Sequence, residues 1–491
     1  MTNEIRKLSL LLGFARVATW LVLVLMMIPA VARASGPKPP PPIGSFFAIA
    51  YSVPYSYSVA ESISQASNGS FVVGALCSAA AVTTPNCNGP ATVLTVDPSG
   101  NIQSQTQYSY GNGPQSTALN ILKATSDGGA IFAGQPQFGC PAQSLNSCGA
   151  IVKVYSTGKV QWANDLLFAT SAPSSPKTWP FDIQQTTDGG FVLVGYASAP
   201  GANYNPWIAK LSSTGQVQWT HVFVDPNSQY SAAYSVWQTA DGGYIVGGEV
   251  SYVVNPSYTE SEITVFKLDS TGTLFWQRDY AAGVDAYLQS LALTSDGGAI
   301  VSGTVSTETA NTYTTSVLLL KLDSTGNARF ARTILPSDSI SDLSVVGVQQ
   351  TTDGGYAFAG YYFQSTVYTE RAWLVKTDSA GKVQWDKIYG HDVQYSDRYF
   401  HSFQQTSDGG FIAAGSTNQF NGGDNSIWLV KTDSNGNLSK CADVKNDSAT
   451  TGSIAVTVSS GNLSADQDGV SYVGDSLILS GAPLAETKEC P

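Results

Sequence analysis

The stretch Thr186-Thr187-Asp188-Gly189-Gly190-Phe191-Val192 recurs six times along this chain in near-identical form. The aspartates at the centres of these copies, in chain order, are Asp127, Asp188, Asp241, Asp296, Asp353 and Asp408. A weaker seventh copy, centred on Asn68, precedes them. Successive centres lie between 53 residues (188 to 241) and 61 residues (127 to 188) apart. A period in this range indicates a repeat architecture.

Each repeat contains four short apolar segments. An apolar residue stands five positions before every centre, and this column consists of Ile63, Leu122, Ile183, Val236, Leu291, Val348 and Phe403. The segment after the centre ends at a glycine in six copies, whereas Ala75 occupies that position in the first. Asp-Gly-Gly between two apolar segments predicts a tight hairpin, because glycine adopts positive φ without a steric clash. With a third strand such as 373–378 and a fourth beginning at Val383-Gln-Trp385, the repeat predicts a four-stranded antiparallel sheet.

The ends of the chain predict how the repeats close into a ring. Residues 46–51 read as a fourth strand that has no first three before it, and the last repeat has only a poor fourth strand at 438–441. We therefore expect an all-β chain, a seven-bladed β-propeller of four-stranded blades over 46–440, with the N-terminal strand completing the last blade. Closure of this kind removes exposed sheet edges. Residues 441–491 form a small β-rich C-terminal extension, with strands expected at 454–458 and 476–479.

The first 34 residues have the layout of a secretory signal. Basic residues precede the apolar run 17–28, and Ala32-Arg33-Ala34 follows it, so cleavage is expected after Ala34. An uncleaved membrane anchor is the alternative, but the run is shorter than the roughly 20 residues that a span needs. Residues 35–45 are a Pro-rich linker. The expectation is therefore a secreted chain, extracellular or periplasmic, with no membrane insertion after cleavage.

Charge excludes two classes of partner. The formal net charge is −12, and removal of residues 1–34, which carry four basic residues and one acidic residue, leaves −15. A chain so acidic is not expected to bind nucleic acid or an anionic membrane.

Six cysteines in an exported chain predict three disulfides. Six cysteines allow about fifteen connectivities, but their positions favour Cys77–Cys87, Cys140–Cys148 and Cys441–Cys490, with no free thiol. If Cys441 bonds Cys490, the C-terminal extension is a closed appendage on the last blade. The chain has no Cys-x-x-Cys, so neither a haem attachment site nor a zinc knuckle is indicated.

Connection lengths distinguish two faces of the expected ring. The first-to-second and third-to-fourth connections are short and uniform, and we call their side the turn face. The other connections vary, as at 173–180, 201–206, 252–262 and 307–316, and they define the variable face. Binding residues concentrate on irregular loops held by a rigid scaffold. Tyrosines are abundant there, including Tyr51, Tyr57, Tyr108, Tyr204, Tyr230, Tyr252, Tyr258, Tyr313 and Tyr368. They suit a binding surface, although tyrosine also favours strand ends in general.

One loop of the variable face concentrates charged residues. We predict a binding site made of His391, Asp392, Tyr395, Asp397, Arg398 and His401, with Glu370 and Arg371 from the neighbouring loop. Histidine, carboxylate and arginine together can perform acid–base chemistry or anchor an anionic or glycan ligand. The alternative is a solvated ion-pair cluster between two blades.

A column of lysines has a structural interpretation instead. It consists of Lys153, Lys210, Lys267, Lys321, Lys376 and Lys431, and its expected partner is either the turn aspartate or the aspartate two residues on.

The repeat resembles secreted bacterial β-propeller repeats of the delta-60 type. The resemblance covers residues 46–440 and is carried by motifs such as Asp353-Gly-Gly-Tyr356, Gly360, Trp373-Leu-Val-Lys376-Thr-Asp378 and Gly381. It implies a propeller from an exported protein, and such repeats are mostly non-catalytic modules. A fainter likeness to quinoprotein repeats rests on Asp269-Ser-Thr-Gly272-Thr-Leu-Phe-Trp276, whose spacing is one residue short, so we expect no quinone cofactor.

These observations predict a function only by class. The first expectation is a non-catalytic binding or scaffold module whose variable face meets an extracellular glycan or protein. The alternative is a secreted hydrolase or lyase that acts on a polysaccharide-like polymer through the charged loop at 391–401. No sequence motif for a catalytic site, a metal or a cofactor was found.

Overall fold

The computed structural model describes most of the chain after residue 45. The described residues are 46–52, 56–79, 88–110, 117–136, 149–168, 177–198, 203–255, 258–309, 312–338, 340–390, 397–419, 423–438, 444–461, 464–466, 470–474, 477–480 and 485–490. The chain divides into Met1–Ile43 and Gly44–Pro491, and every described residue belongs to the second unit. The expected signal segment and the Pro-rich linker therefore lie outside the described residues.

The first strand, β1 (Phe47–Ser52), is followed by seven groups of strands, which we call blades 1 to 7. Blades 1 to 3 contain β2 (Ser56–Gln65), β3 (Phe71–Ala79), β4 (Asn88–Val96), β5 (Ile102–Tyr110); β6 (Thr117–Ala124), β7 (Ala130–Pro136), β8 (Gly149–Val154), β9 (Val160–Phe168); and β10 (Lys177–Gln185), β11 (Phe191–Ser198), β12 (Asn205–Leu211), β13 (Val217–Val224). Blades 4 and 5 contain β14 (Ser228–Gln238), β15 (Tyr244–Asn255), β16 (Tyr258–Leu268), β17 (Leu274–Ala282); and β18 (Asp285–Leu293), β19 (Ala299–Thr309), β20 (Thr312–Leu322), β21 (Ala328–Leu335). Blades 6 and 7 contain β22 (Ile340–Gln350), β23 (Tyr356–Gln364), β24 (Thr369–Thr377), β25 (Val383–Tyr389); and β26 (Arg398–Gln405), β27 (Phe411–Thr417), β28 (Ser426–Thr432).

The N-terminal strand closes the ring, as the sequence predicts. The order in blade 7 is β26-β27-β28-β1, and Ala50 lies opposite Trp428. Blade 7 is in turn bonded to blade 1. The Ser407 N–H donates to Gln65 Oε1 at 2.9 Å, and the Gln65 N–H donates to Gln404 Oε1 at 2.9 Å. The fold is therefore a seven-bladed β-propeller.

The turn motif that defines the repeat is stabilised by its lysine. In blade 3, Asp188 Oδ1 accepts hydrogen bonds from Thr186 Oγ1 at 2.5 Å and from the Gly190 N–H at 3.0 Å. Lys210 Nζ lies 2.9 Å from Asp188 Oδ2 and donates to the Leu211 carbonyl at 2.8 Å. The same pair joins lysine and turn aspartate in blades 2 to 7. Of the two partners that the sequence allowed, the structure shows the turn aspartate.

Neighbouring blades are joined by a glutamine at the end of the inner strand and by an aromatic residue of the outer strand. Gln185 Oε1 accepts from the Ser126 N–H of blade 2 at 2.8 Å. The Trp162 ring meets the Phe191 ring edge-on at 5.8 Å. A Cβ on Gly215 would lie 2.8 Å from that indole, which explains the glycine of this turn. These contacts hold the inner strands around one axis.

The C-terminal extension adds a fifth strand to every blade. Its strands are β29 (Val444–Asn446), β30 (Thr450–Ser453), β31 (Val456–Ser459), β32 (Ser464–Asp466), β33 (Val470–Gly474), β34 (Leu477–Ser480) and β35 (Ala485–Cys490). They pair antiparallel with the outer strands of blades 6, 5, 4, 3, 2, 1 and 7, in that order. The sequence predicted two strands in an appendage on the last blade, but the extension passes around the whole ring and covers each outer sheet edge. This placement has a clear physical reason, because each outer strand otherwise presents unpaired backbone groups.

The three expected disulfides cannot be followed here. Cys87, Cys140, Cys148 and Cys441 lie outside the described residues, and for Cys77 and Cys490 only the backbone is described, in β3 and β35. The pairings remain predictions.

Candidate functional site

Every blade carries a β-bulge at the same place in its inner strand. The residues that the ladders skip are Glu61, Asn120, Phe181, Tyr234, Gln289, Val346 and His401. The glycine that ends the second strand lies opposite each bulge, except in blade 1, which has Ala75. A Cβ on Gly303 would lie 1.8 Å from the Tyr287 carbonyl oxygen, so the glycine column follows from the bulge. Bulges re-aim side chains, and in blades 1 and 3 to 7 the bulged side chain faces the centre of the ring.

The bulged residues of blades 1 and 3 to 7 line a central cavity of about 490 Å³. Its walls include the side chains of Glu61, Phe181, Tyr234, Gln289 and His401. Farther along the inner strands, Lys123 Nζ lies 3.8 Å from Asp182 Oδ1. The volume lies within the range of small-molecule sites.

Blades 1 and 7 place a carboxylate and an imidazole in the wall of this cavity, and tyrosines of blades 7 and 6 extend a series of ring contacts from that imidazole. His401 Nδ1 lies 3.2 Å from Glu61 Oε2, and the Tyr399 ring meets the His401 ring edge-on at 6.0 Å. The Tyr361 ring lies 5.0 Å from the Tyr399 ring, also edge-on. The ring contacts of His401, Tyr399 and Tyr361 thus lead from the cavity wall toward the variable face.

Glu370, at the variable end of β24, lies in an unusual environment for a carboxyl group. Burial, and then the negative charges of Asp342 and Asp397, raise the pKa of Glu370 to about 7. The Glu370 backbone N–H donates to Asp397 Oδ1 at 3.3 Å. Glu370 Oε2 is buried, and no described residue hydrogen-bonds to it. A carboxyl group that keeps its proton near neutral pH beside other carboxyl groups is a candidate proton donor.

Blades 3 and 4 contribute aromatic side chains instead, and five of them contact one another in a closed series. The Phe181 ring contacts those of Tyr196 and Tyr234 at 5.6 and 4.8 Å. Tyr204 contacts the rings of Tyr196 and Tyr230 at 4.8 and 5.6 Å, and the hydroxyls of Tyr230 and Tyr234 lie 2.8 Å apart. Phe181 and Tyr234 line the same cavity as Glu61 and His401. We call this set the aromatic group.

The structure brings together only part of the binding site that the sequence predicted around the loop 391–401. Glu370, Asp397 and His401 lie on blades 6 and 7, and of the three His401 lines the central cavity, which we also call the channel. Arg398 is 1% exposed, stacks on the Trp428 ring at 5.3 Å and donates to Gln419, and Arg371 is 3% exposed and donates to Gln364 at 3.0 Å. Both arginines are therefore packed within blades 6 and 7. His391, Asp392 and Tyr395 lie outside the described residues.

Several residues of the channel were not predicted from the sequence. They are Glu61, Phe181, Tyr234, Gln289 and Val346, which are all bulge residues that line the central cavity. The only sequence pattern that indicates them is the glycine column, because it marks the bulge.

Some expected loop residues lie elsewhere. Tyr51 and Tyr108 are buried, and their hydroxyls donate to turn carbonyls of the next blade, those of Gly100 and Gly158. Most of 252–262 and 307–316, expected as irregular loops, forms the ends of two long hairpins. Their runs of Thr, Tyr and Val favour strands.

Within the described ranges, no group of three or more His, Cys, Asp or Glu residues could hold a metal ion. In the same part of the chain, no helix has the length and apolarity to cross a membrane.

Fold and cavity together define the class: a seven-bladed β-propeller with a ligand-sized central cavity, lined by Phe181 and Tyr234 on blades 3 and 4 and by Glu61 and His401 on blades 1 and 7. No family model matches the chain, and no curated protein matches it in sequence. The likeness to delta-60 repeats therefore remains a prediction.

Solved structures that are similar in fold include the following three. An α-L-arabinanase of Penicillium chrysogenum, complexed with arabinobiose, has 9% identity and a TM-score of 0.41, covering 80% of this chain and 99% of that one. A xylan β-1,4-xylosidase of Bacillus halodurans has 9% identity and a TM-score of 0.22, covering 82% and 98%. A protein of unknown function from Bacteroides caccae has 14% identity and a TM-score of 0.33, covering 60% and 89%. At these values the similarities carry no argument about chemistry.

Proposed function

We propose that this propeller is an exported carbohydrate-binding protein that takes a polysaccharide segment at the mouth of its central channel. The observation that carries the proposal is the aromatic group on blades 3 and 4, which shares one cavity with Glu61 and His401. Aromatic rings supply apolar area for a sugar face, and tyrosine supplies it at low entropic cost. Carboxylate, imidazole and hydroxyl groups across the cavity can bond the sugar hydroxyls.

Other features favour an uncharged polysaccharide over a nucleic acid as the ligand. The chain is acidic, with a formal net charge of −12, so a polyanion would be repelled. Phe181 and Tyr234 lie within the cavity, whereas Tyr204 and Tyr230 flank it on the variable face, which suits an extended ligand. Export rests on the signal-like sequence of residues 1–34 and is part of the proposal.

A glycan-binding screen followed by two matched variants tests this proposal. Phe181→Ala removes a ring from the cavity, whereas Tyr155→Ala removes a 46% exposed tyrosine from a turn on the other face. We expect Phe181→Ala to weaken binding of the best neutral oligosaccharide by about tenfold or more, the loss expected for one stacking contact, and Tyr155→Ala to leave it unchanged. Equal losses in both variants, or no glycan bound at all, would refute the proposal.

A second candidate function, hydrolysis of the bound glycan, is favoured specifically by Glu370. Glycoside hydrolysis needs one carboxylic acid that protonates the leaving oxygen and one carboxylate that activates water or attacks. Glu370, with its pKa raised to about 7, fits the acid, and Asp397 beside it fits the carboxylate. In this mechanism the Glu370 proton passes to the glycosidic oxygen as the bond breaks, and water supplies the new hydroxyl.

Product release from the glycans found in the screen distinguishes hydrolysis from binding alone. If Glu370 is the acid, Glu370→Gln reduces turnover by about a hundredfold or more, and the wild-type rate falls as pH rises through about 7. Glu308→Gln, at an exposed carboxylate of the long hairpin in blade 5, is the matched control. Binding without turnover in the wild type would leave the carbohydrate-binding proposal and remove this one.

A further inference from the structure

A second cavity, of about 620 Å³, lies on the outer side of blades 5 and 6, where the C-terminal extension passes from one blade to the next. Strand β29 ends on β25 at Asn446, and β30 begins on β21 at Thr450. Residues 447–449 cross between them without pairing to either blade in a ladder. The crossing residues and the two outer strands enclose the cavity.

The cavity combines a cationic wall with an aromatic one. Arg332 from β21 and Lys382 from the turn before β25 line it, together with the Trp385 ring. Arg332 Nε donates to the Ala380 carbonyl at 3.2 Å, and Arg332 Nη1 donates to Ala331 O at 3.1 Å and Ser453 Oγ at 3.3 Å. Among the described residues, no acceptor is found for Arg332 Nη2 and no carboxylate pairs with Arg332 or Lys382. The Arg332 and Lys382 side chains can therefore bind an anionic group of a ligand.

The two carboxylates in the lining are engaged by the protein. Asp386 Oδ2 accepts from Trp373 Nε1 at 3.1 Å, and Asp386 Oδ1 accepts from the Ala449 N–H at 3.4 Å. Asp447 Oδ2 accepts from the Ser337 N–H at 3.0 Å, and Asp447 Oδ1 accepts from the Ser337 hydroxyl. Both aspartates thus fix the crossing segment to the blades.

Polar side chains of the extension complete the lining. Thr451, Ser453 and Asn446 all face the cavity. The Thr451 hydroxyl oxygen accepts from the Val383 N–H at 3.3 Å, and the Ser453 hydroxyl oxygen accepts from Arg332, so both hydroxyls keep a hydrogen to donate. Lys387, whose Nζ donates to Asn446 Oδ1, adds a further positive charge beside this rim.

We propose that this cavity is a second ligand site, separate from the channel, and that it takes an acidic sugar. Arg332 and Lys382 bind the carboxylate of a hexuronate, Trp385 covers an apolar face of the pyranose ring, and Thr451, Ser453 and Asn446 bond its hydroxyls. Arginine is suited to a planar carboxylate because its guanidinium donates two parallel hydrogen bonds. The cation pair makes the site selective against neutral sugars of the same size.

The repeat provides a matched control for the test. Arg278 in blade 4 is equivalent to Arg332, since each follows the outer-strand aromatic residue by two positions and lies over its ring, at 5.9 Å from Trp276 and 5.2 Å from Phe330. Arg278 is not part of the cavity lining. Substitution of Arg278 therefore reproduces the loss of a rim arginine without touching the proposed site.

Isothermal titration of the full chain with glucuronate and galacturonate tests the proposal, with glucose, galactose, sulfate and calcium as comparison probes. We expect at least one uronate to bind and the neutral sugars not to bind. Arg332→Gln and Lys382→Gln should each weaken uronate binding by about tenfold, the size expected for a lost charge-assisted hydrogen bond. Arg332→Lys should retain part of it, and Arg278→Gln should retain all of it.

Four results would overturn the proposal: no uronate binding, equal affinity for neutral sugars, equal loss in Arg278→Gln, or sulfate binding as tightly as either uronate. Calcium that competes with the uronate would also overturn it, because the ligand would then be a cation held by Asp386 and Asp447. All variants leave the channel unchanged, so failure here does not affect glycan binding there.

Discussion

Replacing Lys210 by methionine tests the ion pair that the repeats of blades 2 to 7 share. The Lys210 side chain is 4% exposed and Asp188 is 52% exposed, so the lysine is the buried partner. Methionine keeps most of the apolar stem but removes three interactions, those with both Asp188 oxygens and with the Leu211 carbonyl. An unsatisfied buried carbonyl costs about 1–3 kcal/mol, and an ion pair with a largely exposed carboxylate contributes less than about 1 kcal/mol. We expect a total loss of about 2–3 kcal/mol.

The loss should depend on pH in a defined direction. Burial raises the pKa of Asp188, but hydrogen bonds from Thr186, Lys210 and the Gly190 N–H outweigh burial and lower it to about 2. A depressed folded-state pKa stabilises the fold above the unfolded-state value of about 3.9, and that contribution is lost as pH falls toward 2. The difference between wild type and Lys210→Met should therefore shrink between pH 4 and pH 2. It should not vanish, because the hydrogen bond from Lys210 to the Leu211 carbonyl is lost at every pH.

Urea unfolding of the wild type, Lys210→Met, Asp188→Asn and the double variant measures the effect and the coupling of the two side chains. Lys159→Met, at an exposed lysine of a turn in blade 2, is the control and should cost less than about 0.5 kcal/mol. Equal unfolding midpoints for Lys210→Met and Lys159→Met would refute the reasoning.

Two further predictions concern the bulge and the extension. Gly303→Ala places a methyl group 1.8 Å from the Tyr287 carbonyl oxygen, so it should destabilise blade 5 by about 3 kcal/mol or more in a thermal unfolding experiment. Ala75→Gly, at the same position of blade 1, is the matched control. A Gly303→Ala variant as stable as the wild type would contradict the proposed role of the bulge. Burial and then the charge of Asp447 raise the pKa of Asp386 to about 6, so this group stabilises the fold fully below pH 4 and loses that contribution as pH rises through 6. In the wild type, the backbone amides of residues 444–446 should therefore be less protected from hydrogen exchange at pH 8 than at pH 5. In Asp447→Asn the difference in protection between the two pH values should be smaller. The same pH dependence in both proteins would show that the Asp386–Asp447 carboxyl pair does not cause it.

The ring could be predicted from the sequence because its signals are local and repeated. Asp-Gly-Gly fixes each hairpin, and positive φ at Gly189 and its counterparts confirms why glycine stands there. The orphan strand at 46–51 predicted the closure, since a strand with apolar residues at every position must be covered on both faces. Residues that the structure finds at 0–2% exposure from Phe47 to Tyr51 agree with this.

The extension and the channel depend on contacts that leave little trace in the sequence. Strands β29 to β35 have three to six residues each and show no sustained alternation of apolar and polar residues. Each one adds to the outer edge of a blade that already has four strands. The Glu61–His401 pair joins residues 340 positions apart, which only ring closure brings together. Glu370 could be chosen as a candidate from the sequence because it is charged, but its raised pKa depends first on burial and then on the charges of Asp342 and Asp397, which tertiary structure brings near it.

The central claim is that the aromatic group and the carboxylates at the channel mouth form one carbohydrate site. The crystal structure of the protein with the tightest-binding oligosaccharide from the screen tests it most directly. The account predicts a sugar ring against Phe181 or Tyr234, with its hydroxyls directed toward Glu61, His401 or Glu370. An oligosaccharide bound on the turn face, or along the outer strands with an empty channel, would contradict it.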